Sequence, residues 1–452
     1  MDSVKIGLAG AGTVGGGVCR VLNRNQEQIS ARAGARIEVK YVTCRHPENR
    51  SDLVPLVGSL GIDWHEIVED PEIAIAVEAM GGIEPARSFI LAAIDAGKHV
   101  VTANKALLAQ HGDEIFDAAA KKGVIVAFEA SVAGGIPIIK AMRESLVANR
   151  IQSVVGIING TSNFILTSMR KEKISFAEAL SKAQKLGYAE ADPSFDIDGI
   201  DAAHKISILS SIAFGGPISF DKAYIEGIRD LQNVDIEFAD QLGYRVKLLG
   251  ITKRRGTGIE LRVHPTLVPE RRLLAHVGGV TNAVEVKGDA VGSTLYYGPG
   301  AGSEPTASAM IADIVDVVRM IGVSSNHQVP VLGYKRKIEN VDVLPMGETV
   351  CSYYLRIGVT DSPGTLADVS RVFADMGISI ESLIQKEAVA GQGSTSIVLM
   401  GLSGQGDHVR RKTGRGRRPV FDLRSRGKCS KIRWHLFTIC LYPSVDNEGA
   451  WW

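Results

Sequence analysis

The chain opens on a short apolar strand, "VKIGLA", that turns through "GAGTVGGG" into a helical repeat carrying Val18, Val21 and Leu22. The alternation continues downstream. "ARIEVKYVT", "IAIAVEAM", "KHVVTA" and "VIVAFEA" read as apolar strands, and "EPARSFILAAIDAG" and "LLAQHGDEIFDAAAKKG" as helices. Strands alternating with helices predict an α/β fold with a doubly wound parallel sheet over residues 1–130. From 131 to 303 the rhythm changes to an α+β unit: "RIQSVVGII" is a strand, "GIDAAHKISILSSIAF" a largely apolar helix, and the residues after His276 add further strands. A helix near 304–322 follows, then a linker over 323–349. Residues 350–402 give a strand, a break at Asp361 to Gly364, an amphipathic helix and two strands around a glycine-rich turn.

Several positions in this pattern carry chemistry. Gly10, Gly12 and Gly15 stand in GxGxxG order between strand and helix, allowing a tight turn, backbone approach to a pyrophosphate and close helix packing. The helix N-terminus then faces an anion. The second strand ends in Cys44 and Arg45, where an NAD-binding sheet often carries a carboxylate. Arg45 is either a solvated surface arginine or the partner of a 2'-phosphate, and the second reading favours NADP over NAD. Thr102, Asn104 and Lys105 fall at the carboxyl end of a strand, where such sheets gather ligands. The run Asn159 to Asn163 is either a helix cap or a polar loop facing substrate. Gly300 to Ser303 precede the 304–322 helix, with Ser303 expected as its cap.

The densest stretch is "LGYAEADPSFDIDGIDAAHKISIL". Asp201 and Lys205 are four residues apart and share one helical face. An apolar run follows Lys205, and a buried lysine is costly unless paired. Spacing alone leaves two readings, a structural ion pair beside a solvated acidic loop, or a site in which acids bind an ammonium group and the lysine moves a proton.

Composition restricts the partner. A chain of 452 residues with 45% hydrophobic and 22% charged side chains is globular and has room for two to three domains. A net charge of +1, with no basic stripe in the first 400 residues, gives no electrostatic case for nucleic acid or membrane, so a small-molecule substrate is expected. The N-terminus lacks a secretory pattern and the apolar runs are too short to span a bilayer, which points to the cytoplasm. Cys19, Cys44, Cys351, Cys429 and Cys440 form neither a zinc pattern nor a disulfide framework.

In order and separation, "GLAGAGTVGGGV", "TANKALLA", "FEASVAGGIPII", "NGTSNFIL" and the acidic stretch resemble the homoserine dehydrogenase family, from about residue 4 to about residue 400. The resemblance implies interconversion of L-aspartate 4-semialdehyde and L-homoserine with NADP or NAD, on the way to threonine, methionine and isoleucine. It implies Lys205 as proton donor with Asp201 as its partner, Glu190 and Asp196 as binders of the substrate's ammonium end, and Gly187 where substrate meets nicotinamide. Gly12, Thr13 and Val14 would line the pyrophosphate turn, Gly81 the cofactor cleft, and Gly302 the nicotinamide. Lys105 would connect cofactor and substrate. A monovalent cation, commonly sodium, would be held at Glu129, Val132, Gly134 and Ile136. The 304–322 helix would return to the cofactor unit, and the enzyme would be a homodimer or homotetramer.

Two other classes are weighed beside this one. A ligand sensor needs no proton donor. An acylating dehydrogenase needs a nucleophilic cysteine, and none lies between Cys44 and Cys351. Residues 350–402 resemble the start of an ACT domain, a βαββαβ module, which implies allosteric threonine as a ligand. That module is expected to be incomplete, because 403–452 is a basic tail without a helical repeat, read either as a nucleic-acid arm or, preferably, as a shifted reading frame. Exposed apolar surface near Val398 is the expected consequence.

Overall fold

The apolar strands of the first unit pair as their alternation predicts. The computed structural model describes residues 3–324, 327–335, 341–349, 351–360, 362–375, 379–385, 394–400 and 432–442. The unit runs β1 (Ser3–Ala9), α1 (Thr13–Arg24), α2 (Gln26–Ala33), β2 (Arg36–Thr43), β3 (Ser59–Gly61), α3 (His65–Glu69), β4 (Ile73–Glu78), α4 (Ala86–Asp95), β5 (His99–Thr102), α5 (Lys105–Lys122) and β6 (Val126–Ala127). All neighbours are parallel, in the order β3-β2-β1-β4-β5-β6. Ile6, Leu8, Ile75, Val77 and Val101 are fully buried, as a sheet covered on both faces requires. Strand order reverses between β1 and β4, which opens a crevice at their carboxyl ends. The three-residue β3 is too short to show a period in the sequence.

The second unit contains α6 (Ile138–Lys140), β7 (Ile151–Ile157), α7 (Gly160–Glu172), α8 (Phe176–Lys185), α9 (Ser194–Ile197), α10 (Ile200–Phe214), β8 (Tyr224–Ile225), α11 (Asn233–Gln241), β9 (Tyr244–Arg255), β10 (Gly258–Pro269), β11 (Thr281–Gly288) and β12 (Gly292–Pro299). Strands β12-β11-β7-β9-β10 form an antiparallel ladder. Every residue of α10 from Asp201 to Phe214 is buried. A helix covered all round needs neighbours on every side. It has the sheet on one face and α5 of the first unit on another, which sets its N-terminal turn at the junction of the two units.

The chain then returns to the first unit through α12 (Ser303–Met320). Ala307, Met310, Ile314 and Val318 of α12 share one core with Val18, Val21 and Leu22 of α1. The close approach needs Gly17, where an added Cβ would sit 2.6 Å from Ser303 Oγ. The cap expected at Ser303 is one residue off. Gly302 is the N-cap, with φ +125, while Ser303 begins the helix and its Oγ donates to Thr13 O at 2.7 Å.

The last described elements are β13 (Tyr353–Thr360), α13 (Thr365–Asp375), β14 (Ser382–Gln385), β15 (Ser394–Met400) and β16 (Ile432–Leu441). Here the sequence reading is corrected twice. The last strand that the incomplete module was expected to lack is present: β16 pairs antiparallel with β13, giving the order β16-β13-β15-β14, and so takes the place of the fourth strand of a βαββαβ module. Its far edge pairs parallel with β10, which joins this sheet to the ladder of the second unit. Val398 is not exposed either, because β15 lies inside the sheet and Val398 packs with Tyr354 into the main core. The second helix expected of the module would fall in 401–431, outside the described residues.

A buried polar cluster docks β13 on the second unit, where Arg356 Nη2 also donates to Gln232 Oε1 at 3.0 Å. Asp235, fully buried in the first turn of α11, accepts from Tyr354 Oη at 3.0 Å and from Arg356 Nε and Nη2 at 2.7 and 3.1 Å.

A buried lysine on β9 gives the fold a pH signature. Lys247 Nζ donates to Asn163 Oδ1 at 3.2 Å and to Val277 O, and burial lowers its pKa to about 8. Between that value and the ordinary lysine value the unfolded chain holds a proton that the folded chain has lost, so this group's contribution to stability rises with pH. The urea midpoint of the native protein is expected to gain on that of Lys247→Met from pH 8 to pH 10. A constant gap would contradict this assignment.

Candidate active site

The site is assembled from loops at the carboxyl ends of β1, β4 and β5 and from α10. Gly10 turns the chain after β1 with φ +105, its N–H donates to Thr43 O at 2.8 Å, and a Cβ there would meet Ala79 O at 2.5 Å. At Gly15 a Cβ would lie 1.9 Å from Gly10 O, so helix and turn touch only because residue 15 is glycine. Gly12 caps α1 without a side-chain acceptor, and no acid sits in the first turn. The N–H groups around Thr13 and Val14 are thus free for an anion, and a Cβ on Gly12 would meet nothing within 4 Å.

Glu78 organises the neighbouring strand ends. Its buried carboxylate accepts from Met80 N at 2.8 Å, Gly81 N at 3.0 Å and Thr102 Oγ1 at 2.6 Å, and burial raises its pKa. Asn104 caps α5 through Leu107 N at 3.1 Å and donates to Gly82 O at 2.6 Å. These bonds fix the start of α5 and hence Lys105, whose Nζ reaches Asp201 Oδ1 at 3.0 Å.

Asp201 therefore bridges the two units. Its Oδ2 accepts from Lys205 Nζ at 2.8 Å and from Asn159 Nδ2 at 2.8 Å. Lys205 Nζ makes a second bond, to Ile158 O at 2.8 Å. Burial of Asp201 opposes its charge, but the ammonium groups of Lys205 and Lys105 outweigh it and hold the carboxyl well below its usual range. The two lysines move in opposite directions. Burial lowers the pKa of Lys205 despite Asp201, whereas the field of Asp201 raises that of the more exposed Lys105. One carboxylate thus lies between two ammonium groups, and the deeper of them has the lowered pKa.

The other residues singled out in the sequence divide in two. Asp196 joins the cluster, its Oδ1 accepting from Asn159 Nδ2 at 2.7 Å. Glu190 and Gly187 lie on the exposed loop after α8, and among the described residues the Glu190 carboxylate has no bond to the cluster; only its field reaches Lys105. Asp192 caps Ser194 and Asp198 pairs with Arg229, both local roles. The run at Asn159 resolves as cap and site neighbour together, since Asn159 Oδ1 accepts from Ser162 N at 2.8 Å while its amide serves the acids. Arg45 is exposed after β2. Sequence reasoning missed Arg50, whose guanidinium overlies Gly16 and pairs with Asp52, because nothing in the local pattern sets it beside α1.

The loop after β6 folds against Pro299 and Gly300. Glu129 spends its carboxylate on Ile139 N and Lys140 N, at 2.9 and 2.8 Å, and its own N–H donates to Asp313 of α12 at 2.7 Å. Ile136 O accepts from Ile138 N, while no hydrogen bond to the carbonyls of Val132 or Gly134 forms among the described residues. Both residues are buried, so among the described residues these two carbonyl oxygens have no protein donor.

A doubly wound sheet with an open anion turn, joined to a buried lysine and carboxylate, defines a dinucleotide-dependent oxidoreductase. The homoserine dehydrogenase family model matches residues 137–315, the model of that family's NAD-binding domain 10–129, and the ACT domain model 353–407. The chain belongs to the homoserine dehydrogenase family. A homoserine dehydrogenase of Pseudomonas aeruginosa is 54% identical over 403 residues, covering 88% of this chain and 92% of that one. The corresponding protein of Neisseria gonorrhoeae is 51% identical over 411 residues, with 91% and 94% covered. A crystal structure of a homoserine dehydrogenase from Thiobacillus denitrificans superposes with a TM-score of 0.90 at 50% identity, over 98% of this chain and 99% of that one. The activity is thus the NAD(P)-linked interconversion of L-homoserine and L-aspartate 4-semialdehyde, a step of amino-acid biosynthesis. Among the described residues no helix is long and apolar enough to cross a membrane.

Proposed function

We propose that Lys205 is the proton donor of this reaction, with Asp201 and Lys105 holding its charge state. The observation that carries the reading is a buried ammonium with two bonds fixed, to Ile158 O and Asp201 Oδ2, at the junction of the cofactor and substrate units. An ammonium has three donors, so one remains for the reacting oxygen. Bound NAD(P) supplies the hydride in reduction and accepts it in oxidation. In reduction Lys205 gives its proton to the carbonyl oxygen as the C–H bond forms. In oxidation neutral Lys205 takes the hydroxyl proton, so a lowered pKa helps and the rate rises with pH. Asp196 and Glu190 bind the substrate's ammonium group, the second after movement of its exposed loop, and Gly187 lies at the mouth of the site.

Gly10, Gly12, Thr13, Val14, Gly15, Gly81 and Gly302 line the cofactor cleft in this reading. NADP is the preferred cofactor in this reading because Arg45, and not a carboxylate, follows β2. Arg45→Ala is expected to raise KM for NADP about 10-fold with KM for NAD unchanged, a loss on the scale of one charge-assisted contact. An equal change for both cofactors would remove Arg45 from the 2'-phosphate. A solved archaeal homoserine dehydrogenase in complex with NADPH, 27% identical with a TM-score of 0.60 over 70% of this chain and 97% of that one, supports the choice.

Sodium at the carbonyls of Glu129, Val132, Gly134 and Ile136 fits the two donorless oxygens, and it would brace the loop against Gly300. The ACT module supports feedback by threonine, and cytoplasmic homodimers or homotetramers serving threonine, methionine and isoleucine synthesis complete the reading. Homoserine oxidation measured with each cofactor, with and without threonine, tests these points together. NADPH binding without turnover would instead favour a sensor.

A further inference from the structure

We propose that Asn159 is a positioning residue, which holds the ammonium-binding carboxylate of Asp196 at a fixed offset from the proton donor Lys205. The inference rests on the roles given above to Lys205 and Asp196. Asn159 is 4% exposed, and each polar atom of its amide is committed. Nδ2 donates to Asp196 Oδ1 at 2.7 Å and to Asp201 Oδ2 at 2.8 Å, while Oδ1 accepts from Ser162 N at 2.8 Å. Two carboxylates demand the NH2 group and one N–H demands the oxygen, so the amide has a single orientation.

The geometry is an alignment device. Asp196 belongs to α9, Asp201 and Lys205 to α10, and the two helices are separated by Asp198 and Gly199, the latter at φ +86. The turn between them carries the Gly199 N–H to Asp196 O bond, and Ser162 Oγ donates to the same carbonyl at 3.0 Å, but these hold backbone and do not fix the side chains. Two successive residues at the end of β7 do so: Ile158 O holds Lys205, and Asn159 Nδ2 holds both carboxylates. The substrate carries its ammonium group and its reacting oxygen at the two ends of a short chain, so the Asp196 to Lys205 offset must match that chain. The amide also separates two anions that repel one another without it.

The role of a helix cap can be separated from that of an aligner. Serine and threonine are good caps and keep an acceptor for Ser162 N, but neither hydroxyl can donate to two carboxylates. Asn159→Ser and Asn159→Thr are therefore expected to keep a near-native urea midpoint while kcat/KM for homoserine falls about 10²-fold, the loss typical of a small misplacement of reacting groups. KM should rise with the loosening of Asp196. The rising limb of the oxidation pH profile should move to higher pH, because Asp201, relieved of one donor, holds the Lys205 proton more tightly. The other groups facing Lys205 are Lys105 from α5, Asp196 from α9 and His204 on α10. Burial lowers the His204 pKa to about 4, so it stays neutral across the assay range.

Native kinetics in either folded variant would overturn the proposal. So would a uniform fall in kcat with an unmoved pH limb, or failure of both variants to fold, since these are the marks of a cap alone. Lys205→Met measured alongside separates the two levels: if it oxidises homoserine normally, the proton-donor reading itself fails, whatever Asn159 does.

Discussion

Lys205→Met is expected to lower kcat for homoserine oxidation by about 10²- to 10⁴-fold, the range supplied by a positioned acid or base. Methionine keeps much of the volume of the lysine stem and removes the ammonium. Asp201 then keeps Lys105 and Asn159 as partners, at 3.0 and 2.8 Å, so the variant should fold. Its stability loss should fall below the about 3–5 kcal/mol that stranding a buried charge usually costs. The rise of the oxidation rate with pH should vanish as well, since that rise reports the neutral form of the lysine. Lys205→Arg should be no better, because a guanidinium does not release its proton. Initial rates followed by nicotinamide absorbance between pH 7 and pH 10, with a urea midpoint for each variant, decide the matter. A native rate in Lys205→Met at pH 9 would take the residue out of the proton path.

The largest structural effect is expected at Arg356→Leu. It leaves Asp235, fully buried, with the Tyr354 hydroxyl and the Gln232 N–H but no cation. Removing one partner of a buried pair costs about 3–5 kcal/mol. The penalty belongs to the stranded carboxylate, so Arg356→Leu combined with Asp235→Leu should recover much of the loss. Urea unfolding should show the single variant losing the β13 module in an early transition and the double variant regaining cooperativity. If the single variant unfolds like the native chain, this ion pair is not what docks the module.

Features fixed by local backbone chemistry were legible in the sequence. Gly10 and Gly15 could be read because no other residue fits a positive φ or a 1.9 Å approach. The shared face of Asp201 and Lys205 followed from helical spacing alone. Features that need a distant partner could not be read in the same way. β16 is a strand because β13 and β10, far away in sequence, offer it edges. Val398 is buried because that sheet then packs on the second unit. Asn159 read as a cap or a site residue, and no spacing rule says that one amide can be both. The Gly302 cap was assigned one residue late because serine is the commoner cap and the φ of +125 was invisible. Carbonyls such as those of Val132 and Gly134 leave no side-chain signature at all.

The return of α12 to the first unit governs how this protein can be cut. A fragment ending near residue 130 would contain every strand of the cofactor sheet and every glycine of its turn, yet would lack Ala307, Met310, Ile314 and Val318, which complete its core. It would aggregate rather than serve as a portable cofactor carrier. A working excised unit would need Ser303–Met320 spliced on behind β6 through a short linker. The minimal dinucleotide-binding module of this chain is thus discontinuous in sequence, and insertions between its parts are tolerated in a way that truncations are not.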